Sequence, residues 1–150
     1  MTIYLARHGE AKSSTEDLER PLSIKGEADV QNVASQLQGK NIQVKAIYHS
    51  GKTRAEQTAK ILSGVVETVS GIEKLDGLEP LDDETMIINM ILEEKQNFLF
   101  VGHLPFLSNL AVGLVGESTA DLTQFSTGNF LAISYDEIKN SWSLDWRILP

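Results

Sequence analysis

The sequence predicts an α/β protein, a three-layer α/β/α sandwich in which helices cover both faces of a mostly parallel sheet and an antiparallel hairpin closes the C-terminus. Three observations predict it. Short apolar runs, too brief for helices, alternate with longer runs that repeat every 3.6 residues. That succession of strand and helix implies right-handed crossovers between parallel strands. The last stretch alternates apolar and polar residues, the mark of a strand with one wet face.

The elements follow in order. Thr2 to Ala6, Val44 to Tyr48 and Asn97 to Val101 are β-rich and apolar, as expected of central parallel strands buried on both faces. Val30, Val33, Ala34 and Leu37 mark the buried stripe of a first helix, which Ser23 caps and Gly39 closes. Ala55, Ala59 and Leu62 mark a second helix, and Ile87, Met90 and Ile91 a third. Leu107, Leu110, Ala111 and Leu114 mark a fourth, with Pro105 at a first-turn position. At the end, Trp142, Leu144, Trp146 and Ile148 alternate with Ser143, Asp145 and Arg147, and Phe130 to Tyr135 pairs with them through a turn around Lys139 and Asn140.

A chain of 150 residues fits one compact domain, residues 1–150, because it buries roughly 70% of its unfolded surface around one fold. There is no repeat, low-complexity tract or long linker to divide it. With 41% hydrophobic and 23% charged residues, the composition is that of an ordinary globular protein. The absence of cysteine excludes disulfide scaffolds, thiolate metal sites and cysteine nucleophiles, and suits a reducing compartment such as the cytoplasm. The first apolar stretch is broken by Arg7 and has neither a basic leader nor the length of a membrane span, so neither export nor insertion is expected. A formal net charge of −8 repels nucleic acid and anionic lipid, which excludes both as expected partners. An anionic substrate therefore needs a local cluster of cations.

The sequence supplies such a cluster. Arg7-His8-Gly9 follows the first strand, Ser50 and Arg54 follow the second, and Gly102-His103 follows a later one. In open α/β sheets ligands bind beyond the carboxyl ends of the strands, so three strand ends deliver cations to one rim. Each junction also opens a turn or helix whose free N–H groups suit an anion. Arg7 and Arg54 offer forked donors to phosphoryl oxygens. Adjacent guanidinium groups repel one another, so placing two beside His8 makes sense where a phosphate binds between them. They also lower the pKa of His8 and keep an unprotonated ring nitrogen for in-line attack on phosphorus. A protonated His103 would stabilise the transition-state charge. This scheme needs no metal and no cofactor. A leaving oxygen needs a proton, and Glu79, Asp82 and Asp83, in an acidic loop before the third helix, are the candidate donors. Glu10 is expected to cap a turn or balance Arg7.

The segment Tyr4-Leu5-Ala6-Arg7-His8-Gly9-Glu10-Ala11 resembles the signature of the histidine phosphatase superfamily, also called phosphoglycerate mutase-like. It is joined, in that family's order, by Arg20-Pro21-Leu22-Ser23 with Gly26, by Ser50 with Arg54 to Ala59, and by Val101-Gly102-His103-Leu104-Pro105. The short bacterial members, phosphohistidine phosphatases of the SixA type, are most similar, sharing the His-Leu-Pro step and a final strand with tryptophan. The resemblance implies a phosphoglycerate mutase-like fold and His8 as the transiently phosphorylated residue. It implies a pocket completed by Arg7, Arg54 and His103, with Gly9, Arg20, Ser50 and Leu104 as further phosphate- or substrate-binding positions. Larger members carry a helical lid, whereas Val65 to Asp83 is too short for one, so an open site is expected. Such a site admits a phosphorylated protein domain as well as a small phosphorylated metabolite. The chain departs from the family pattern at Gly51, where proline is frequent, and at His49, where a small or polar residue is common. A monomer is expected.

Other readings are weaker. Gly51-Lys52-Thr53 suggests a P-loop, but the glycine expected five residues earlier is Ala46. His8, Glu10, His49 and His103 lack metal-ligand spacing, and two arginines repel a cation. A mutase needs an enclosure that excludes water. A phosphate-recognition module without catalysis keeps the cations but has no use for a neutral His8.

Overall fold

The computed structural model describes all 150 residues, Met1–Pro150. In chain order the elements are β1 (Thr2–Arg7), α1 (Ile24–Leu37), β2 (Gln43–Val44), β3 (Ala46–His49), α2 (Thr53–Leu62), β4 (Glu67–Thr68), β5 (Ile72–Lys74), α3 (Thr85–Glu94), β6 (Phe98–Gly102), α4 (Phe106–Val115), α5 (Ala120–Thr123), β7 (Phe130–Asp136) and β8 (Ser141–Ile148). The main sheet has six strands in the order β5-β3-β6-β1-β7-β8. β5, β3, β6 and β1 pair in parallel, while β7 and β8 are antiparallel. The α/β/α sandwich with its C-terminal hairpin is the architecture expected from the alternating pattern.

Strand alternation builds a core on each face. Ile3 and Leu5 of β1, with Phe98 and Phe100 of β6, pack against Ile87 and Ile91 of α3 and Phe106, Leu107 and Leu110 of α4. Ala6, Leu99 and Val101 face the other way, toward Val30, Val33 and Leu37 of α1 and Ala55, Ala59 and Leu62 of α2. Both faces are covered because the parallel crossovers place helices there. No helix is long and apolar enough to cross a membrane.

Two expectations shift. The run from Val44 to Tyr48 is not one strand: Val44 joins a separate two-stranded ladder with β4, and only Ala46–His49 enters the main sheet. The break falls at Lys45, whose N–H donates to the carbonyl of Asn97 and whose carbonyl accepts from Ser70 N–H. Pro105 stands just before α4 rather than inside its first turn, and the His103 carbonyl already accepts from Leu107 N–H. β4, β5 and α5 are too short to leave a periodic signal.

Ser23 caps α1 as expected, its hydroxyl accepting from Gly26 N–H at 3.0 Å. Gly26 has a further role. The loop after β1 crosses the first turn of α1 so closely that a Cβ on Gly26 would lie 1.9 Å from the carbonyl oxygen of Glu10. A Cβ on Gly9 would lie 2.8 Å from Val30 Cγ2 and 2.9 Å from the Gly26 carbonyl. These two glycines bring α1 against the loop that carries His8. Alanine normally stabilises a helix by about 1 kcal/mol over glycine. Gly26→Ala is expected instead to destabilise by about 3 kcal/mol, because backbone cannot yield as a side-chain tip can. Urea denaturation checks this, and a gain in stability would show that the crossing leaves room for a methyl group.

Candidate active site

β6 lies between β1 and β3 in the sheet, so their carboxyl ends are neighbours. Arg7 pairs with Gly102, and His49 with Val101. The next residues, His8, His103 and Ser50, are thereby forced together, although up to 95 positions separate the first two in the chain (103 minus 8). The His8 and His103 ring centroids are 4.9 Å apart, and Ser50 Oγ lies 2.6 Å from His103 Nε2. Backbone bonds brace the rim: His8 N–H donates to Gly102 O, Arg7 N–H to Asn129 O, and Gly128 N–H to the carbonyls of Arg7 and His8.

A pocket of about 320 Å³ opens here, lined by Arg7, His8, Arg20, Arg54 and His103, together with Glu10, Leu104 and others. His8 Nδ1 is 2.7 Å from the carbonyl oxygen of Gly9. A carbonyl only accepts, so Nδ1 carries the proton and Nε2 keeps a free lone pair. The chain's six ion pairs leave Arg7, Arg20 and Arg54 without a carboxylate partner. Arg7 Nε, Arg54 Nε and His103 Nδ1 are buried with no hydrogen-bond partner. Buried donors are rarely left so, and these belong to side chains that line the same pocket as His8. Arg7 is fixed by its Nη1, which donates to Phe125 O at 3.0 Å.

Burial, more than the neighbouring cations, sets the protonation of the two imidazoles. His8 is held down to about 4, first by burial and then by Arg54, Arg7 and Arg20, against the opposing bond to Gly9. His103 is held down to about 3 by burial, then by His8, Arg54, Lys52 and Arg7. Near neutral pH both rings are therefore neutral, which differs from the expectation of a protonated His103. If Ser50 donates to Nε2, Nδ1 still presents an N–H. The unfolded chain protonates these rings near 6.5, whereas the folded chain resists until about 4 and about 3. Their contribution is present above pH 6.5 and is lost progressively as pH falls through about 4 for His8 and about 3 for His103. Ring-nitrogen NMR is expected to show His8 neutral and protonated at Nδ1 at pH 7, titrating near pH 4. Titration near 6.5 would mean a solvated ring.

The other expected residues take varied positions. Arg20 lines the pocket in a left-handed backbone conformation (φ 46°), with Nε donating to Lys12 O, and Leu104 lines it too. Gly9 and Ser50, expected as phosphate- or substrate-binding, do not line it. Gly9 orients His8 through its carbonyl, and its N–H donates to Thr58 Oγ1; Ser50 holds His103. The acidic loop is turned to other ends. Asp82 accepts from Glu79 N–H and Asp83 from Thr85 N–H, the local bonds of a turn and of the start of α3. Those bonds hold Asp83 below the usual carboxylate range, ionised at neutral pH. Glu79 pairs with Lys52 at 3.2 Å, next to Pro80 on the pocket wall. Glu10 is the carboxylate residue that lines the pocket itself, and its nearest cation is Lys25 at 3.7 Å rather than Arg7.

Gln57 and Thr58 lie inside the Arg54 to Ala59 segment without a role assigned from sequence, and Asn129 lies outside every motif. Thr58 Oγ1 donates to Arg54 O, and Gln57 Oε1 accepts from Leu22 N–H, anchoring the loop after Arg20. The spacing Arg54, Gln57, Thr58 puts all three on one helical face, a signal that was available. Asn129 left no such trace.

The family model of the histidine phosphatase superfamily (branch 1) matches residues 3–82. The phosphohistidine phosphatase SixA of Escherichia coli strain K12 is 26% identical over 155 residues, an alignment covering 100% of this chain and 94% of that protein. A solved structure of the protein histidine phosphatase SixA complexed with tungstate superposes with a TM-score of 0.83 at 26% identity, covering 100% of this chain and 97% of the other. A phosphoserine phosphatase of Entamoeba histolytica, bound to 3-phosphoglyceric acid, shares the fold at 14% identity, with a TM-score of 0.72 and coverage of 99% and 97%. A family match extending over more than half of the chain, on a fold that superposes from end to end, means that the chain belongs to the histidine phosphatase superfamily, branch 1.

Proposed function

We propose that this chain is a protein phosphohistidine phosphatase that works through transient phosphorylation of His8 Nε2. One observation carries the reading: a neutral imidazole with a free Nε2 shares its pocket with buried guanidinium and imidazole donors that have no protein acceptor. A tetrahedral phosphoryl group is an acceptor of the right size and charge for them. Arg7, Arg54 and His103 would hold its oxygens while Nε2 attacks in line. The bond from Nε2 to phosphorus forms as the bond to the leaving group breaks. Water then attacks the phosphohistidine, releasing orthophosphate and restoring His8.

The surroundings of the pocket support this substrate class. Val65 to Asp83 forms two short strands and a loop rather than a helical lid, which leaves room for a folded domain. A leaving imidazole nitrogen is readily protonated from solvent near neutral pH, so it makes less demand on an enzyme acid than an alkoxide does. That suits a chain whose Asp82 and Asp83 are committed to local backbone bonds. The relatives named SixA agree with this substrate class.

The test is incubation with a phosphohistidine-bearing domain and, separately, an aryl phosphate, followed by an alkaline quench. Acid-labile label on His8 with release of orthophosphate is expected, faster from the phosphohistidine domain. Neither label nor release would leave a phosphate-recognition module. Tungstate, the oxyanion bound in the SixA structure, is expected to raise the melting temperature of this chain.

A further inference from the structure

Beside the pocket a second depression of about 370 Å³ is lined by Leu18, Glu19, Arg20, Lys52 and Arg54, among others. Arg20 and Arg54 line both, so the two spaces adjoin. In a molecule of net charge −8, three cations meet here against Glu19 alone within the groove. Lys52 also pairs with Glu79, but the pair is solvent-exposed and costs little to exchange. Arg20 is committed to the spot. Its left-handed backbone is uncommon outside glycine and asparagine, and it is held by bonds from Arg20 N–H to Asp17 O and from Nε to Lys12 O. Leu18 presents an apolar side chain at the edge, 88% exposed.

We propose that this groove receives an acidic side chain of the substrate protein, close to its phosphorylated residue, with Lys52 and Arg20 as specificity-determining residues. The proposal rests on the phosphohistidine phosphatase reading. Two phosphohistidine peptides that differ only in Asp against Asn near the phosphorylated histidine test it. The wild-type chain is expected to favour the Asp peptide by about fivefold in kcat/KM, and Lys52→Gln to level that preference. Equal rates on both peptides in the wild type, or an unchanged preference in Lys52→Gln, would overturn the groove. If neither peptide loses phosphate, it is the underlying phosphatase reading that fails.

His49, buried at the end of β3, lies outside the pocket, yet its Nδ1 accepts from Gly51 N–H at 3.1 Å. Between them is Ser50, which holds His103. Gly51 has φ 93°, and a Cβ there would lie 2.6 Å from Lys74 Cε, so the loop depends on a residue that is conformationally free. The ring replaces that lost stiffness with a bond two residues on, as an asparagine does in an Asx turn. We infer that His49 is a positioning residue, locking the loop so that Ser50 presents His103. His49→Leu keeps bulk but no acceptor, whereas His49→Asn keeps an acceptor. The expected result is a loss of about tenfold in kcat with little change in KM for His49→Leu, and near-parental rates for His49→Asn. Parental activity in His49→Leu, or equal loss in both variants, would refute the role.

Discussion

His8→Ala is expected to abolish turnover, with a loss on the order of 10⁴-fold or more and no acid-labile label on the chain. The physical reason is the free lone pair on His8 Nε2, a residue that lines the pocket. The Gly9 carbonyl fixes the Nδ1 proton, so Nε2 is the ring nitrogen left free for the proposed attack. With Ser50 donating to its Nε2, His103 keeps no free ring nitrogen to take that place. Arg7, Arg54 and His103 remain in the variant, so oxyanion binding should survive. Tungstate should still raise its melting temperature, which separates loss of chemistry from loss of fold. Near-normal phosphate release by His8→Ala would remove the covalent mechanism.

Arg54→Ala is expected to lower kcat/KM by about 10²-fold or more, with His103→Ala similar, through lost stabilisation of transition-state charge. Arg54 sits in the first turn of α2, its carbonyl held by Thr58 and its Nε buried without a partner. Burial lowers its pKa from the ordinary value, Arg20 adds to this, and Glu79 opposes it. The group is thus prepared for an anion, and truncation leaves the pocket short of a forked donor. Arg54→Lys should recover only part of the loss, since an ammonium cannot bind two phosphoryl oxygens in one plane. Full activity in Arg54→Lys would show that only the charge matters. A loss confined to KM would place Arg54 in ground-state binding alone.

Much of the fold is legible because its signals are local. The stripe Val30, Val33, Ala34, Leu37 and the alternation from Trp142 to Ile148 each encode an element within a few residues; the stripe is buried, and in the strand Trp142 and Ile148 are buried and Leu144 and Trp146 half-buried, while Ser143, Asp145 and Arg147 are exposed. The break at Lys45 is not legible, because its cause is pairing with Asn97 and Ser70, both distant in sequence. Likewise the residue types at the ends of β1, β3 and β6 point to a phosphate pocket. Whether a given carboxylate enters it depends on loop geometry: Asp82 and Asp83 turn back onto their own backbone, while Glu10 reaches the lining.

By itself the sequence determined the succession of strands and helices, the caps, and which chemical groups sit at strand ends, since periodicity, sterics and residue chemistry act over short stretches of chain. Only the tertiary structure decided the rest. It placed His8 4.9 Å from His103, set Gly9 and Ser50 behind the pocket as the groups that orient those rings, and made burial the leading cause of their low pKa values. Distances, tautomers and desolvation depend on atoms brought together from remote segments, and packing alone fixes them.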